Sequence, residues 1–238
     1  MKLPILITAL SVIYVSTFAQ GTIEFANFGP GLAAKIEDTS GAPLAGIAFS
    51  VDLFWAPGIV TDSCALQPLN APAVFSTNAS LAGYFFGGTR TFPAAPGSTI
   101  TAQLRVWGTA AGSSWVVAQC VLGGETGSSI VFQATLADQN STNYLTGLNG
   151  NGFQLTFPVL TPSVWSVSDI VMLTNTVGFT IVPIGVVLNV VVEATTNLTN
   201  PVWTTVQFYD CIACPVFFSD SLTSSPTKFY RVRWFGWP

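Results

Sequence analysis

Hydrophobic and polar residues alternate along most of the chain with the two-residue period that is typical of β strands. In the clearest run, 99–107, Ile100, Ala102, Leu104 and Val106 would lie on one face. The same pattern, bounded by turn residues, predicts strands at 22–27, 48–55, 74–75, 83–92, 115–122, 130–136 and 153–157. Capped helical patterns are almost missing. Residues 20–158 are therefore predicted to form an all-β sandwich, either jelly-roll-like or immunoglobulin-like.

Residues 169–238 are predicted to form a second, smaller all-β domain of immunoglobulin-like or fibronectin-like size. A turn-rich segment at 158–168 marks the boundary between the two domains. Further strands are predicted at 177–182, 186–194, 203–208, 216–219 and 229–234. The uncharged stretch 170–192 is long enough to cross a membrane. Its proline, glycine and β-branched residues instead favour two strands that are joined by a turn.

Residues 1–19 have the pattern of an export signal. Lys2 supplies a positive start, an apolar run follows at 3–15, and a small-x-small cleavage site precedes Gln20. A membrane anchor is the alternative, but the apolar core is short and no basic stop follows it. We therefore expect a secreted, extracytoplasmic protein with no transmembrane segment after cleavage. The periplasm, the cell surface and the medium remain open.

The composition excludes several classes of function. Hydrophobic residues make up 50% of the chain and charged residues 8%, and the net charge of −4 becomes −5 when Lys2 is removed. The six remaining Lys and Arg residues form no long run, so we expect no nucleic-acid partner. The chain has no histidine, which excludes Ser-His-Asp and Cys-His nucleophiles and HExxH zinc sites. Paired carboxylates and calcium ligands remain possible, but no cofactor and no metal are predicted.

Four cysteines in an exported chain favour disulfides. Three pairings are formally possible, and we expect Cys64 with Cys120 and Cys211 with Cys214. The second pair forms a CxxC motif, but it lies between predicted strands rather than at a helix N-terminus, so a redox role is disfavoured. A four-cysteine zinc site is disfavoured because Cys64 and Cys120 are far apart in the sequence.

Several segments resemble recurrent motifs of a largely uncharacterised family of exported bacterial β-sandwich proteins, abundant in verrucomicrobial-type genomes. The matching segments are 21–27 (GTIEFAN), 95–107 (APGSTITAQLRVW), 127–132 (GSSIVF), 192–198 (VEATTNL), Trp203, 218–220 (FSD) and 229–232 (FYRV). The resemblance implies a two-part β protein, with the FYRV segment in an immunoglobulin-like C-terminal module. It supplies no catalytic residue. The C-terminus lacks the Pro-Glu-Pro motif, membrane helix and basic tail of a related group, so that sorting route is not expected.

The candidate ligand-binding residues are Trp234 and Trp237 at the end of the chain. They form an apolar cluster beside arginines. This cluster either covers the base of the domain or docks on a partner. The other tryptophans in strand patterns, Trp55, Trp107, Trp115 and Trp203, are expected to pack in cores. The carboxylates of Glu37, Asp38, Asp52 and Asp62 are expected to be solvated surface charges.

These observations predict an exported, non-enzymatic protein with a structural or adhesive role at the cell surface. The alternative is a carbohydrate-binding module, which would need exposed coplanar aromatic rings in a groove with amide or carboxylate neighbours. A carboxylate-dependent glycoside hydrolase is a further alternative, which would need two carboxyls facing each other across a cleft. The expected partners are extracellular glycans or other surface proteins.

Expression of the full sequence in a bacterial host should yield an exported protein whose first residue is Gln20, because signal peptidases cleave after small residues. Intact-mass measurement and N-terminal sequencing of the periplasmic fraction check this. A membrane-bound product that retains residues 1–19 would contradict the export signal and favour the anchor.

Overall fold

The computed structural model describes residues 20–157, 164–184, 187–222 and 227–234, so the predicted export signal lies outside the described residues. Within them, a single short α-helix, α1 (Trp115–Gln119), accompanies the strands. The strands are β1 (Gly21–Ala26), β2 (Phe28–Gly29), β3 (Leu32–Ala33), β4 (Ile36–Glu37), β5 (Phe49–Pro57), β6 (Gln67–Pro68), β7 (Ala73–Val74), β8 (Phe86–Phe92), β9 (Thr99–Gly108), β10 (Thr126–Ser128), β11 (Phe132–Thr135), β12 (Phe153–Gln154), β13 (Val164–Leu173), β14 (Thr176–Ile184), β15 (Val187–Thr195), β16 (Thr204–Ile212), β17 (Val216–Ser221) and β18 (Phe229–Trp234).

The predicted all-β, sandwich-type fold is confirmed. In the first part of the chain, the antiparallel pair β5–β9 forms the centre of the largest sheet, in register from Phe49 opposite Gly108 to Pro57 opposite Ile100. Strands β10 and β11 extend this sheet beside β9, and β6 and β7 extend it beside β5. Smaller sheets, β1–β8, β4–β12 and β2–β3, complete the layers around a core of aliphatic and phenylalanine side chains.

Strand β9 is buried on both faces, although its alternating pattern is that of a half-buried strand. Its polar residues Thr101, Gln103 and Arg105 are each less than a tenth exposed. The Arg105 guanidinium lies 4.0 Å from the ring centre of Phe54 and 4.3 Å from that of Trp115. Burial lowers the pKa of Arg105 to about 10, so the group stays protonated at neutral pH.

The strand predicted at 115–122 is wrong, because residues Trp115–Gln119 form α1. Ser114 caps this helix, since its side chain accepts a hydrogen bond from the Val117 N–H. The helix lies against the outer face of β9, where Trp115 packs on Arg105. A local cap and a tertiary stacking contact therefore override a sequence that also suits a strand.

The second part of the chain forms two three-stranded antiparallel sheets, in the orders β13-β14-β17 and β16-β15-β18. Their inner faces meet at a small core formed by Phe179, Ile181, Val190, Val192, Ile212 and Phe218. The predicted strands at 177–182, 186–194 and 229–234 are confirmed as β14, β15 and β18. Strand β13 starts at Val164, inside the segment predicted as a linker, and residues 158–163 lie outside the described residues. The division into two domains remains our prediction.

The pairing of these sheets matches immunoglobulin topology. With the six strands lettered A, B, C, C′, E and F in chain order, the sheets are A-B-E and C′-C-F. In the complete immunoglobulin arrangement, a seventh strand, G, pairs with the outer edge of F. Among the described residues, the strand that pairs with β18, the F strand, is β15.

The expected disulfide pairing is wrong. Cys64 is bonded to Cys214, 150 residues further along the chain, which excludes both the Cys64–Cys120 and the Cys211–Cys214 pairs. Cys120 is also disulfide-bonded. The sequence shows only the order of the cysteines along the chain, whereas the bond depends on which turns meet in space. Cys64 lies in a 3₁₀ turn after β5, and Cys214 lies in the turn between β16 and β17.

In the part of the chain that the structure describes, no helix reaches the length and apolar content that crossing a membrane requires.

Replacing Cys64 with serine should leave a free thiol on Cys214, because the two sulfurs are bonded to each other. Iodoacetamide labelling of the unfolded, unreduced variant, followed by peptide mass spectrometry, should find the added group on Cys214. The Cys214→Ser variant is the reciprocal control and should be labelled at Cys64. Labelling of Cys120 in the Cys64→Ser variant would contradict the pairing.

Candidate functional site

The two tryptophans predicted to bind a partner are only partly placed by the structure. Trp234 is the last residue of β18, opposite Val190, and is 37% exposed. Trp237 lies outside the described residues. Trp234 is thus an accessible aromatic side chain at the end of an edge strand.

Core packing accounts for Trp55, Trp107 and Trp115, as the sequence predicted, whereas Trp203 and Trp165 line an open concavity. Trp107 is buried under α1. Trp55 meets Phe92 edge to face, with ring centres 5.0 Å apart. Trp203 is half-buried, and the Arg231 guanidinium lies 4.3 Å from its ring centre. The contacts of Trp55 and Trp107 use ring faces and edges that a sugar platform would need.

The carboxylates that were candidates for chemistry stabilise turns instead. Asp38 accepts hydrogen bonds from the Ser40 hydroxyl and N–H and from the Ala42 N–H. The Ser40 hydroxyl and the backbone donors hold the pKa of Asp38 below its usual value. Asp62 accepts from the Cys64 N–H at 2.8 Å and so caps the turn that carries the disulfide. Within the described residues, no cluster of three or more metal-ligating side chains is present.

The expectation that Asp52 is a surface charge is wrong. Asp52 lies on β5, is 4% exposed, and accepts backbone hydrogen bonds from Leu53 and Asn70. Burial raises the pKa of Asp52, although these backbone donors oppose the shift. Asn70 has a φ of 58°, a left-handed conformation that asparagine tolerates. The carboxylate therefore fixes the loop that follows β6.

An open concavity in the second sandwich is an apolar groove between strands β13 and β18, which we call the β13/β18 groove. It has a volume of about 500 Å³. Strand β13 contributes Trp165, Val167 and Ile170, and β18 contributes Tyr230 and Val232. The groove therefore lies at the side of the sandwich where β13 is the last described strand of one sheet and β18 is the last described strand of the other.

A polar network holds one end of this groove. The Tyr230 hydroxyl and the Lys228 ammonium both donate to Asp220 Oδ2, each at 2.9 Å. Burial and the hydrogen bond to Asp220 raise the pKa of Tyr230. Burial alone would raise the pKa of Asp220, but the hydrogen bonds from Lys228 and Tyr230 outweigh it and hold that pKa below its usual value. The network joins β17 to the start of β18.

Cationic side chains lie on the opposite face of β18. Arg231 Nε donates to Glu193 Oε2 at 2.6 Å, and Arg233 Nη1 lies 3.7 Å from the same oxygen. The two arginine side chains remain 36% and 45% exposed. Since a guanidinium carries five N–H donors, the Arg231 group can donate to a further carboxylate.

Strand β13 exposes large apolar side chains beside the groove. Ile170 is 69% exposed, Met172 is 72% exposed and Leu173 is 65% exposed. Contiguous apolar surface of this kind typically marks an interaction site. The sequence analysis assigned residues 177–182 and 186–194 to strands, but it predicted no strand at 170–173 and did not show that these residues would be exposed.

A second concavity, of about 600 Å³, lies in the first sandwich beside Tyr144. Gln133, Thr135, Thr142 and Asn143 surround the ring with amides and hydroxyls. This concavity therefore offers one ring and several polar groups to a ligand.

In comparisons with protein-family models, with curated proteins and with solved structures, nothing matches this chain. The assignment of function rests on the geometry of the described residues.

The Asp220→Asn variant should lower the free energy of unfolding by about 1–3 kcal/mol at pH 7, because Asp220 accepts charge-assisted hydrogen bonds. The folded pKa lies below the unfolded value of 3.8, so this stabilisation is present above that value. It is lost as the pH falls through the folded pKa. Urea unfolding of both proteins at pH 7 and at a pH below the folded pKa of Asp220 measures the difference.

The Asp169→Asn variant is the control for this measurement, because Asp169 is an exposed carboxylate in β13. Its unfolding free energy should stay close to that of the parent at both pH values. A loss in Asp220→Asn that is equally large at low pH would contradict the role of the charge.

Proposed function

We propose that this chain is an exported, non-enzymatic protein that acts in structure or adhesion at the bacterial surface through contacts with other proteins. The observation that carries the proposal is the apolar β13/β18 groove, bordered by exposed apolar side chains on β13. A surface with this composition favours a protein partner over water. The class of partner that we propose is another protein of the cell surface.

The covalent bond between Cys64 and Cys214 supports this role. It joins a turn of the first group of sheets to a turn of the second. A cross-link over 150 residues restricts the unfolded chain strongly and keeps both parts together under mechanical load. Disulfides of this kind persist in oxidising compartments outside the cytosol.

The described carboxylates give no support to hydrolysis. Asp38 and Asp62 bind backbone donors of turns, Asp52 is buried, and Glu193 and Asp220 bind cationic side chains. A glycosidase needs one carboxyl to donate a proton and another to attack or activate water across a cleft. We therefore propose a binding role rather than a catalytic one.

Carbohydrate binding is the second candidate function. The concavity beside Tyr144 favours it, because amides and hydroxyls next to an aromatic ring suit a sugar. Among the described residues that line this concavity, Tyr144 supplies the aromatic ring, and one ring does not make an extended stacking surface. A short glycan would be the corresponding ligand class.

Beads coated with the mature chain should adhere to envelope fragments of the producing bacterium, and protease treatment of the fragments should abolish adhesion. Periodate oxidation, which destroys sugar rings, should leave it intact. The Ile170→Asp variant should reduce adhesion about tenfold, because it places an unpaired carboxylate in an apolar contact.

The matched control is Ile59→Asp, which changes an isoleucine of similar exposure in the first sandwich, 73% against 69% for Ile170. It should adhere like the parent. Loss of adhesion after periodate treatment alone would instead favour the carbohydrate-binding alternative, and hydrolysis of the envelope glycans by the chain would contradict a non-enzymatic role.

A further inference from the structure

We infer that the concavity beside Tyr144 in the first sandwich binds a short, uncharged saccharide. One sugar ring packs on the Tyr144 ring, and its hydroxyl groups bond to the amides and hydroxyls of the lining. The concavity shares no lining residue with the β13/β18 groove, so this site goes beyond the proposed contact with proteins. The inference rests on the second candidate function, for which it names the binding residues and the charge class of the ligand.

Strand β11 presents polar side chains to the concavity. Its core-facing residues, Phe132 and Ala134, are less than a tenth exposed, and Gln133 and Thr135 alternate with them and are exposed. Thr99 of β9 lies directly opposite Thr135. Within the described part of the chain, the side chains of Gln133, Thr135 and Thr99 form no hydrogen bond to another residue. Their donors and acceptors are therefore free for a ligand.

The segment 142–146 forms another side of the concavity and is held in place by its main chain. The Glu24 N–H donates to the Asn143 carbonyl at 2.8 Å, and Asn143 Nδ2 donates to the Thr135 carbonyl at 2.9 Å. Leu145 is fully buried in the core. These contacts tie the backbone around Tyr144 to both β1 and β11. A ligand would therefore meet a preformed surface, and binding would cost little ordering of this segment.

The Tyr144 ring is positioned by a close approach to Gly29 of β2. A Cβ atom on Gly29 would lie 2.7 Å from Cε1 of the ring and 2.9 Å from Cδ1, so glycine is what leaves room for the ring. The ring is half-buried and also lines the concavity. It lies between the backbone of β2 and the ligand space. The C–H groups on one side of a sugar ring pack well on an aromatic surface of this kind.

The lining sets the charge and the size of the ligand. None of the nine described residues that line the concavity is charged. An anionic sugar would lose water there without gaining a cation, and a cationic sugar would find no carboxylate. The volume of about 600 Å³ lies within the range of about 300–1,000 Å³ that is usual for pockets that bind small molecules. Amides, hydroxyls and one aromatic ring in such a space favour a short, neutral saccharide.

The experiment uses soluble trisaccharides and the mature chain with its disulfides intact. Saturation-transfer NMR tests trisaccharides of glucose, galactose, mannose or N-acetylglucosamine, of which at least one should bind with a dissociation constant of about 1 mM or lower. The corresponding trisaccharides of glucuronic acid and of glucosamine, which are charged at pH 7, should bind about tenfold more weakly because the lining does not compensate their charge.

Two variants test the polar lining. Gln133→Ala and Thr135→Val should each weaken binding of the neutral trisaccharide about fivefold, because each removes one hydrogen-bonding group from the site. The matched controls are Gln67→Ala and Thr91→Val, which change exposed residues of β6 and β8 that do not line the concavity. Both controls should bind like the parent.

Three further variants test the ring. Gly29→Ala should weaken binding about tenfold although it removes no polar group, because the added methyl displaces the Tyr144 ring. Tyr144→Ala should have a similar effect, whereas Tyr144→Phe keeps the ring and should bind within about threefold of the parent. Tyr84→Ala, which changes another half-buried tyrosine outside the lining, is the control. Circular dichroism and urea unfolding check that each variant is folded.

Several outcomes would overturn the inference. These are no binding of any neutral trisaccharide to the folded parent, tighter binding of the charged trisaccharides, and an equal loss of binding in the control variants. Tighter binding of an uncharged serine–glycine peptide would assign the concavity to a peptide ligand instead.

The adhesion measurement separates this inference from the proposed function. Trisaccharide binding together with adhesion that resists periodate would support both. Trisaccharide binding together with adhesion that periodate abolishes would support this site and contradict the proposed protein partner. Protein-dependent adhesion without trisaccharide binding would overturn this inference and leave the proposed function supported.

Discussion

The structure depends on a small number of charged groups, several of which are buried or bound to other groups inside the fold. The buried carboxylate of Asp52 accepts backbone hydrogen bonds, and Arg105 lies between two aromatic rings. Glu193 binds Arg231 in the second sandwich. Charged residues make up only 8% of the chain. Few charged side chains are therefore left to hydrate the surface around the apolar faces of the strands. Such faces must be covered by packing or by another molecule, and β13 is one place among the described residues where that cover is incomplete.

Much of the strand pattern follows from the sequence because alternation reports which face of a strand is buried. The prediction succeeds for β9, β14, β15 and β18. It fails for α1, where the residues suit either structure and the Ser114 cap and the Arg105 contact decide. It also fails for Asp52, because alternation identifies two faces but does not show that both are buried.

The candidate site was only partly accessible to sequence reasoning. The sequence showed arginines beside the C-terminal tryptophans and an uncharged run that includes Ile170. It did not show that these segments form edges on the same side of one sandwich, because strand order depends on contacts between residues far apart in the chain. The cysteine pairing failed for the same reason, since Cys64 and Cys214 meet through turns of different sheets.

The bond between Cys64 and Cys214 also dictates an order of events during maturation. A chain that is threaded through a membrane from its N-terminus presents Cys64 and then Cys120 to the oxidising side before Cys214 arrives. An oxidant that joins thiols in order of arrival would produce a mispaired intermediate. Efficient production would therefore require a disulfide isomerase, whose attacking thiolate reopens the premature bond and lets the long-range one form.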